Sequence, residues 1–403
     1  MKINRHYLTL PENYLFSQVA AKTRTFQAAQ PEKSIIKLSI GDVSRPLPAV
    51  VVAALHRAVT EMGVGKTFRG YGPETGYPWL RQAIADFYRT EYQVTLDPDE
   101  IVVSDGAKSD LSNLLDIFDP NAKVAMCDPV YPVYLDSNLM LGRQPQFFYA
   151  TAENNFLPLP DAQITADIIY LCNPSNPTGA CYNRAQLKQW VDFARERRAV
   201  ILYDAAYACF IDDPALPKTI FEIDGARECA IEINSLSKMA GFTGVRCGYT
   251  VVPKDLRTAD GVSLNQLWRR RQTTKFNGVS YIVQRGAEAV FTPEGQKAVA
   301  ANIAYYRRNV RLICHTLDRL KWAYVGGVHS PYVWVRCPRG QSSWDCFDDL
   351  LQTTGIVCTP GVGFGAAGEH YIRLTGFNTY TNTRLACARL WQLTKNQPAP
   401  SGN

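Results

Sequence analysis

The chain has 403 residues, of which 46% are hydrophobic and 20% charged, with a formal net charge of +6. This composition excludes a disordered or fibrous chain and leaves room for two or three domains around a sizeable core. The small charge, and the shortness of the densest basic run, Arg269 to Arg271 with Lys275, exclude a nucleic-acid surface; the run reads as a solvated helix face.

In chain order, Ile35-Ile-Lys-Leu-Ser-Ile-Gly41-Asp42 closes the first forty residues as an extended segment turning at Gly41. It is expected to pack with the C-terminal part of the chain. Short apolar, β-branched runs then alternate with longer amphipathic stretches, the runs falling at 100–104, 123–127, 167–172, 199–204, 229–234 and 246–252. Strands that apolar suit a sheet covered on both faces by helices, so the middle of the chain reads as α/β. Between two of the runs, Asn183 to Arg198 sets Leu187, Trp190, Val191 and Phe193 among charged residues, the pattern of an amphipathic helix.

From about residue 290 a long helical stretch through Tyr305, Tyr306 and Arg307 precedes strands at 331–335 and 370–374, which predicts a second, smaller α+β domain. The tail from Gln397 to Asn403 reads as a frayed end. The expected division is an N-terminal arm with part of the small domain over 1–44, a large domain over 45–290, and the C-terminal small domain over 291–403. Eleven cysteines without a C-x-x-C pair point to free thiols in a reducing compartment, hence the cytoplasm. No metal-ligand spacing, apolar leader or membrane-length apolar run is present, so neither metal nor membrane is expected.

Four motifs carry chemistry. Ser235-Leu-Ser237-Lys238 follows a predicted strand, with Arg246 eight positions further on. A lysine there is usually only a solvated cation, but two hydroxyls and an arginine beside it can hold a phosphate while the amine reaches an adjacent aldehyde. Asn173-Pro-Ser-Asn176-Pro-Thr-Gly179 follows another strand and, by punctuation alone, is a turn leading to a helix. Asp204 ends the next strand, with Tyr207 three residues on. Open α/β sheets place ligand contacts at that edge, although a helix N-cap is the commoner role for such an aspartate. Finally, Ser104-Asp105-Gly106-Ala107-Lys108 joins a strand to the apolar helical run of Leu111, Leu114 and Leu115, a common junction whose amides can hold a dianion.

Together these motifs resemble the fold-type I, class I/II aminotransferases that use pyridoxal 5'-phosphate (PLP). The resemblance implies a large PLP-binding domain with a mostly parallel seven-stranded sheet between helices, and a smaller α+β domain. It implies that Lys238 holds PLP as a Schiff base and, once displaced by a substrate amine, carries the proton as general base and acid. Asp204 would keep the pyridine nitrogen protonated, and Tyr207 and Asn176 would stabilise the ring oxygen. Ala107, Lys108, Ser235, Ser237 and Arg246 would sit at the phosphate, and Tyr131, in Asp128-Pro-Val-Tyr-Pro-Val-Tyr, would stack on the ring. Tyr71, in Arg69-Gly-Tyr-Gly-Pro-Glu74, would reach the phosphate in a neighbouring subunit's site, which implies a homodimer with shared active sites. Arg373, in Tyr371-Ile-Arg-Leu, matches the arginine that grips the substrate α-carboxylate.

Over the whole chain the resemblance narrows to the LL-diaminopimelate aminotransferases. Leu38-Ser-Ile-Gly-Asp, Val103-Ser-Asp-Gly-Ala-Lys, Asp204-Ala-Ala-Tyr, Phe276-Asn-Gly and Thr359-Pro-Gly-Val-Gly-Phe-Gly carry it. The implied reaction is reversible amino exchange between LL-2,6-diaminopimelate and 2-oxoglutarate, giving tetrahydrodipicolinate and glutamate; in the cell it would run toward diaminopimelate for lysine and peptidoglycan. Glu74 of the partner would bind the distal ammonium. Tyr14, Gly41, Lys108, Tyr131, Asn176 and Asn277 would complete substrate recognition. Thr75-Gly76-Tyr77-Pro78 departs from the family's usual continuation after Glu74. The alternatives are a broader aminotransferase acting on aspartate or aromatic amino acids, a PLP lyase, and a PLP-binding regulator, the last disfavoured because no helix-turn-helix segment precedes the enzyme-like body.

Overall fold

The computed structural model describes residues 1–10 and 15–395; Tyr14 and the tail from Gln397 lie outside the described residues. Its strands are β1 (Ile36–Lys37), β2 (Ile101–Ser104), β3 (Val124–Asp128), β4 (Gln146–Tyr149), β5 (Ile168–Cys172), β6 (Val200–Asp204), β7 (Ala230–Ser235), β8 (Gly248–Val251), β9 (Tyr324–Gly326), β10 (Tyr332–Arg336), β11 (Ile356–Val357), β12 (Thr359–Pro360) and β13 (Tyr371–Thr375). Seven form the central sheet in the order β2-β8-β7-β6-β5-β3-β4. β3 to β7 pair in parallel, whereas β8 runs antiparallel to both β2 and β7. This is the helix-covered α/β sheet expected from the apolar runs, and the mostly parallel, seven-stranded one that the family resemblance implies.

Alternation along the strands feeds two cores. Ile101, Val103, Ile169, Leu171, Ile201 and Tyr203 turn to one face, where Trp190 and Phe210 pack. Val102, Ile168, Tyr170, Leu202 and Ile231 turn to the other, against Leu111, Leu114 and Trp268. The helix Arg184–Arg197 forms where the amphipathic pattern predicts it, with Asn183 accepting from the Gln186 amide in a capping box. Its buried stripe is Leu187, Trp190, Val191 and Ala194, while Phe193 is only half-buried.

The C-terminal part carries a four-stranded antiparallel sheet, β12-β13-β10-β9, beside the long helix Pro293–Leu320. A third cluster, with Trp334, Phe347 and Ile372, also takes in Leu15, Val19 and Phe26 of the N-terminal helix. β1 pairs in parallel with β11, so the beginning of the chain is built into its end.

One reading of the sequence is corrected. The Arg269–Arg271 run lies on the helix Leu264–Lys275, but it is not simply solvated. Arg271 is half-buried over Trp268, with Nε 2.9 Å from Asp116 Oδ2 and Nη2 2.8 Å from the Asn113 amide oxygen. Arg269 meets Asp99. The acidic residues that these arginines tie down lie far back in the chain, so the run alone could not show them. All eleven cysteines are free thiols.

Candidate active site

The site forms at the C-terminal edge of the central sheet because the register brings separate motifs level. Cys172 of β5 pairs with Asp204 of β6, so the turn holding Asn176 and the turn holding Tyr207 leave the sheet side by side. Gly248 of β8 is in register with Ser104 of β2 on one side and Ser235 of β7 on the other. That triple alignment gathers the 105–108 junction, the 235–238 hydroxyl pair and Arg246 around one point. A crevice outside the carboxyl ends of parallel strands is where such sheets bind ligands.

The resulting cavity, about 360 Å³, is lined by residues that include Lys108, Tyr131, Asn176, Tyr207, Lys238 and Arg373, with Gly41, Asp42, Ser237, Arg246 and Tyr332 also on its wall. Four basic side chains, Lys108, Lys238, Arg246 and Arg373, face it against the single carboxylate of Asp42, so the charge favours an anionic ligand.

Lys238 lies in the short helix Leu236–Ala240, whose N-cap Ser235 accepts from the Ser237 amide at 3.1 Å. Its ammonium donates to the Gly41 carbonyl and sits 5.7 Å above the Phe377 ring. Burial, with Arg373 and Arg246 nearby, pushes its pKa down to about 8, against a smaller opposite pull from Asp42. Asp204 is buried at the end of β6 and accepts from the Tyr134 hydroxyl at 2.5 Å and from the Ala206 amide at 3.0 Å. Burial still raises its pKa, the Tyr134 and Ala206 bonds opposing it. A carboxylate so placed, with no basic side chain bonded to it, suits a cationic ligand group such as a protonated ring nitrogen.

Arg373 comes from β13 and is 1% exposed. Its Nη1 donates to Asn176 Oδ1 at 2.6 Å and its Nη2 to the Ser39 carbonyl at 2.9 Å, while Nε has no acceptor among the described residues. Guanidinium has no lone pair, so Asn176 must turn its oxygen toward Arg373, which leaves its NH₂ free to donate elsewhere. Tyr332, Phe364 and Phe16 surround the guanidinium, with centroids 4.2, 4.8 and 5.8 Å from Cζ.

The donor set fits a phosphate. Arg246 Nη1 reaches Ser237 Oγ at 3.2 Å, and its backbone takes φ +71°, a left-handed conformation that a non-glycine residue holds only under surrounding constraint. Gly106, at φ +135°, is required beside it: a Cβ there would lie 2.5 Å from Arg246 Nη2. Lys108, Ser237 and Arg246 therefore meet at one end of the cavity, and a side chain at 106 would press on the guanidinium there.

Ala107, Asp204 and Ser235 sit behind the cavity wall rather than on it, and three further residues expected at the site lie apart from it in the single chain. Tyr71 is 92% exposed. Glu74 and Asn277 lie with it on a separate surface, where Gly278, next to Asn277, packs on Pro73 and Glu74. Thr75 and Gly76 anchor the base of that surface to β2, Val103 donating to the Thr75 carbonyl at 3.0 Å. Sequence reasoning also missed two residues. Tyr134 stands three positions after Tyr131, and nothing in the motif marks it as the donor to Asp204. Tyr332, whose hydroxyl is 2.6 Å from that of Tyr207, belongs to an ordinary apolar strand.

Comparison with known proteins agrees with this geometry. A family model described as aminotransferase class I and II matches residues 33–390. An LL-diaminopimelate aminotransferase of Lawsonia intracellularis is 51% identical over 96% of this chain and 98% of the relative. One from Lachnospira eligens is 50% identical over 96% of this chain and 99% of its own. The solved L,L-diaminopimelate aminotransferase from Chlamydomonas reinhardtii matches with a TM-score of 0.92 at 39% identity, covering 98% of both chains. A Thermus thermophilus aspartate aminotransferase mutant matches at a TM-score of 0.85 over 98% of this chain and 100% of its own; at 22% identity it is similar in fold alone.

Proposed function

The chain belongs to the class I and II aminotransferases, and from that premise we propose that it exchanges an amino group between LL-2,6-diaminopimelate and 2-oxoglutarate, yielding tetrahydrodipicolinate and glutamate. The observation that carries the substrate is the identity of half of all residues, over nearly the whole chain, to relatives of that activity. The biosynthetic direction makes LL-diaminopimelate. A broader aminotransferase acting on aspartate or aromatic amino acids is the runner-up, because cofactor residues report reaction type better than side-chain choice.

PLP is the cofactor of this reading; when bound, it supplies an electron-accepting ring. Arg246, Ser235, Ser237 and the backbone at Ala107 and Lys108 hold its phosphate, and Tyr131 covers the ring. Asp204 holds a proton at the ring nitrogen, a role suited to a buried carboxylate with no cationic partner of its own. Tyr207 and Asn176 donate toward the ring oxygen. Lys238 would anchor the cofactor and its amine would move the proton from the substrate α-carbon, a task for which an amine whose pKa burial lowers to about 8 is suited. Arg373 binds the α-carboxylate, its planar fork already oriented by Asn176 and Ser39.

The exposed Tyr71 supports a homodimer in which each chain's 71–74 segment, with Asn277, serves its partner's cavity. Glu74 then meets the distal ammonium of diaminopimelate. Tyr14, Gly41 and Lys108 belong to substrate recognition in the same reading. The division into 1–44, 45–290 and 291–403 is part of it too, and the cavity draws Gly41, Lys238 and Arg373 from those three stretches in turn. A cytoplasmic location suits the eleven free thiols. No helix among the described residues is long and apolar enough to cross a membrane.

The test is an assay of the purified protein with PLP and 2-oxoglutarate, offering LL-diaminopimelate, meso-diaminopimelate, aspartate, tyrosine and lysine in parallel. Glutamate formation mainly from the LL isomer is expected. Turnover mainly of aspartate or tyrosine would keep the reaction and discard the substrate.

A further inference from the structure

We infer that Tyr332 is a positioning residue that couples the two ends of the cavity, donating its hydroxyl proton to Tyr207 while its ring face carries Arg373. The inference rests on the proposed roles of Tyr207 toward the cofactor oxygen and Arg373 toward the substrate carboxylate.

Tyr332 opens β10 and is 1% exposed. Its hydroxyl oxygen is 2.6 Å from that of Tyr207, and the two rings cross at 67° with centroids 5.0 Å apart. Arg373 Cζ stands 4.2 Å from the centroid of the same ring. The hydroxyl lies where Gly41 has no side chain: a Cβ at 41 would be 2.4 Å from Tyr332 Oη. Any other residue at 41 would therefore push the hydroxyl away from Tyr207. Gly41 in turn accepts from Lys238 through its carbonyl. One ring thus touches the strand holding Arg373, the loop holding Gly41 and the turn holding Tyr207.

The direction of the proton follows from counting donors. Each phenol has one proton. If Tyr207 donated to Tyr332, it would have none to offer a ligand oxygen. If Tyr332 donates, the Tyr207 proton is free to point into the cavity. Burial raises both phenols and Arg373 opposes it at both, but the guanidinium packs on the ring of Tyr332, 4.2 Å from its centroid, a contact that favours Tyr332 as the more acidic phenol and so as the donor. An oxyanion opposite Tyr207 favours the same direction, since hydroxyls aligned in a chain polarise one another. The charged groups around Tyr332 are Arg373 and, further away, Asp204, with Lys238 and Asp42 on the same cavity wall.

The experiment uses the full-length, PLP-loaded protein and two readouts that do not depend on turnover: the pH midpoint of its visible absorbance band, and the affinity for glutarate as an unreactive dicarboxylate. Tyr332→Phe keeps the ring beneath Arg373 and removes only the hydroxyl. It should raise the absorbance midpoint by about 0.5–1 unit, the size expected for losing one hydrogen bond to the donor, and leave glutarate affinity within about twofold. Tyr332→Leu, which also removes the ring, should weaken glutarate by about tenfold or more. The Tyr207→Phe/Tyr332→Phe double variant should move the midpoint no further than Tyr207→Phe alone. A midpoint unmoved by Tyr332→Phe but moved by Tyr207→Phe would overturn the hydroxyl coupling, and unchanged glutarate affinity in Tyr332→Leu would overturn the role of the ring. If Tyr207→Phe also leaves the midpoint in place, the assignment of Tyr207 to the cofactor fails, and the coupling falls with it.

Discussion

The cavity around Lys238 and the surface around Tyr71 satisfy their side chains in opposite ways. At the cavity, Arg373, Asn176 and Tyr207 on its wall and Asp204 behind it are all buried, and each bonds another group of the same chain. On the surface, Phe68 and Tyr71 are each more than half exposed, yet the same segment is anchored on β2 a few residues on, through Thr75 and Gly76. A firmly based segment with large apolar side chains directed outward differs from a loose loop: it presents a fixed shape to something outside its own chain. The contrast teaches that one part of the site is finished within a single chain, while the part expected to recognise the far end of the substrate faces away from it.

Changes on either side of this contrast should have very different consequences. The largest is expected in the cavity. Lys238→Ala should lower turnover by at least about 10⁴-fold, since anchoring and proton transfer are lost together, and should abolish the visible absorbance of the loaded protein; retention of either would remove Lys238 from its role. Mixing this variant with Tyr71→Ala chains then sharpens the comparison. If the surface serves the partner's cavity, mixed dimers contain one intact site and recover activity well above the sum of the two variants measured separately. No recovery would place Tyr71 in its own chain's site.

A smaller effect is expected at Glu74. Glu74→Ala should reduce kcat/KM for LL-diaminopimelate about tenfold or more beyond any loss for glutamate, because only the former has a distal ammonium to pair. Equal losses would sink the distal-recognition reading. The smallest effect concerns stability without cofactor. Burial lowers the Lys238 pKa from 10.5 to about 8, so between those values the unfolded chain binds the additional proton. Stability from this group therefore rises as pH increases through that window and is least below it. Melting temperatures of the cofactor-free protein and of Lys238→Met should accordingly converge from pH 8 to 10.5, with the variant the more stable at pH 7. A constant difference across the range would show that the amine is not desolvated.

Much of the fold was legible because strands buried on both faces become continuous apolar runs; β2, β5, β6, β7 and β8 all begin within two residues of where such a run does. β4 was not, because Gln146-Phe-Phe-Tyr149 has only Phe148 buried and shows no such run, whereas β2 at the opposite edge is buried throughout. β11 and β12 are two residues each, too short to carry a period. The site divides similarly. Residues inside motifs, such as Asn176, Lys238 and Arg246, could be singled out, and they do line one cavity. Tyr134 and Tyr332 could not, since what distinguishes them is the carboxylate and the phenol that folding places opposite their hydroxyls. The reading of Arg269–Arg271 as solvated failed for the same reason: local charge does not reveal where Asp116 will be.

The level alignment of Ser104, Gly248 and Ser235 also bears on how the protein is made. The 105–108 junction is synthesised long before the strand that sets Arg246 beside it, and Arg373 emerges later still. A ribosome-bound fragment ending before β7 would have the glycine junction but neither Lys238 nor Arg246, and so would lack half of the phosphate-facing cluster. The cavity as a whole should therefore close late in synthesis, because Arg373 of β13 joins a wall that already holds Lys238 and Arg246.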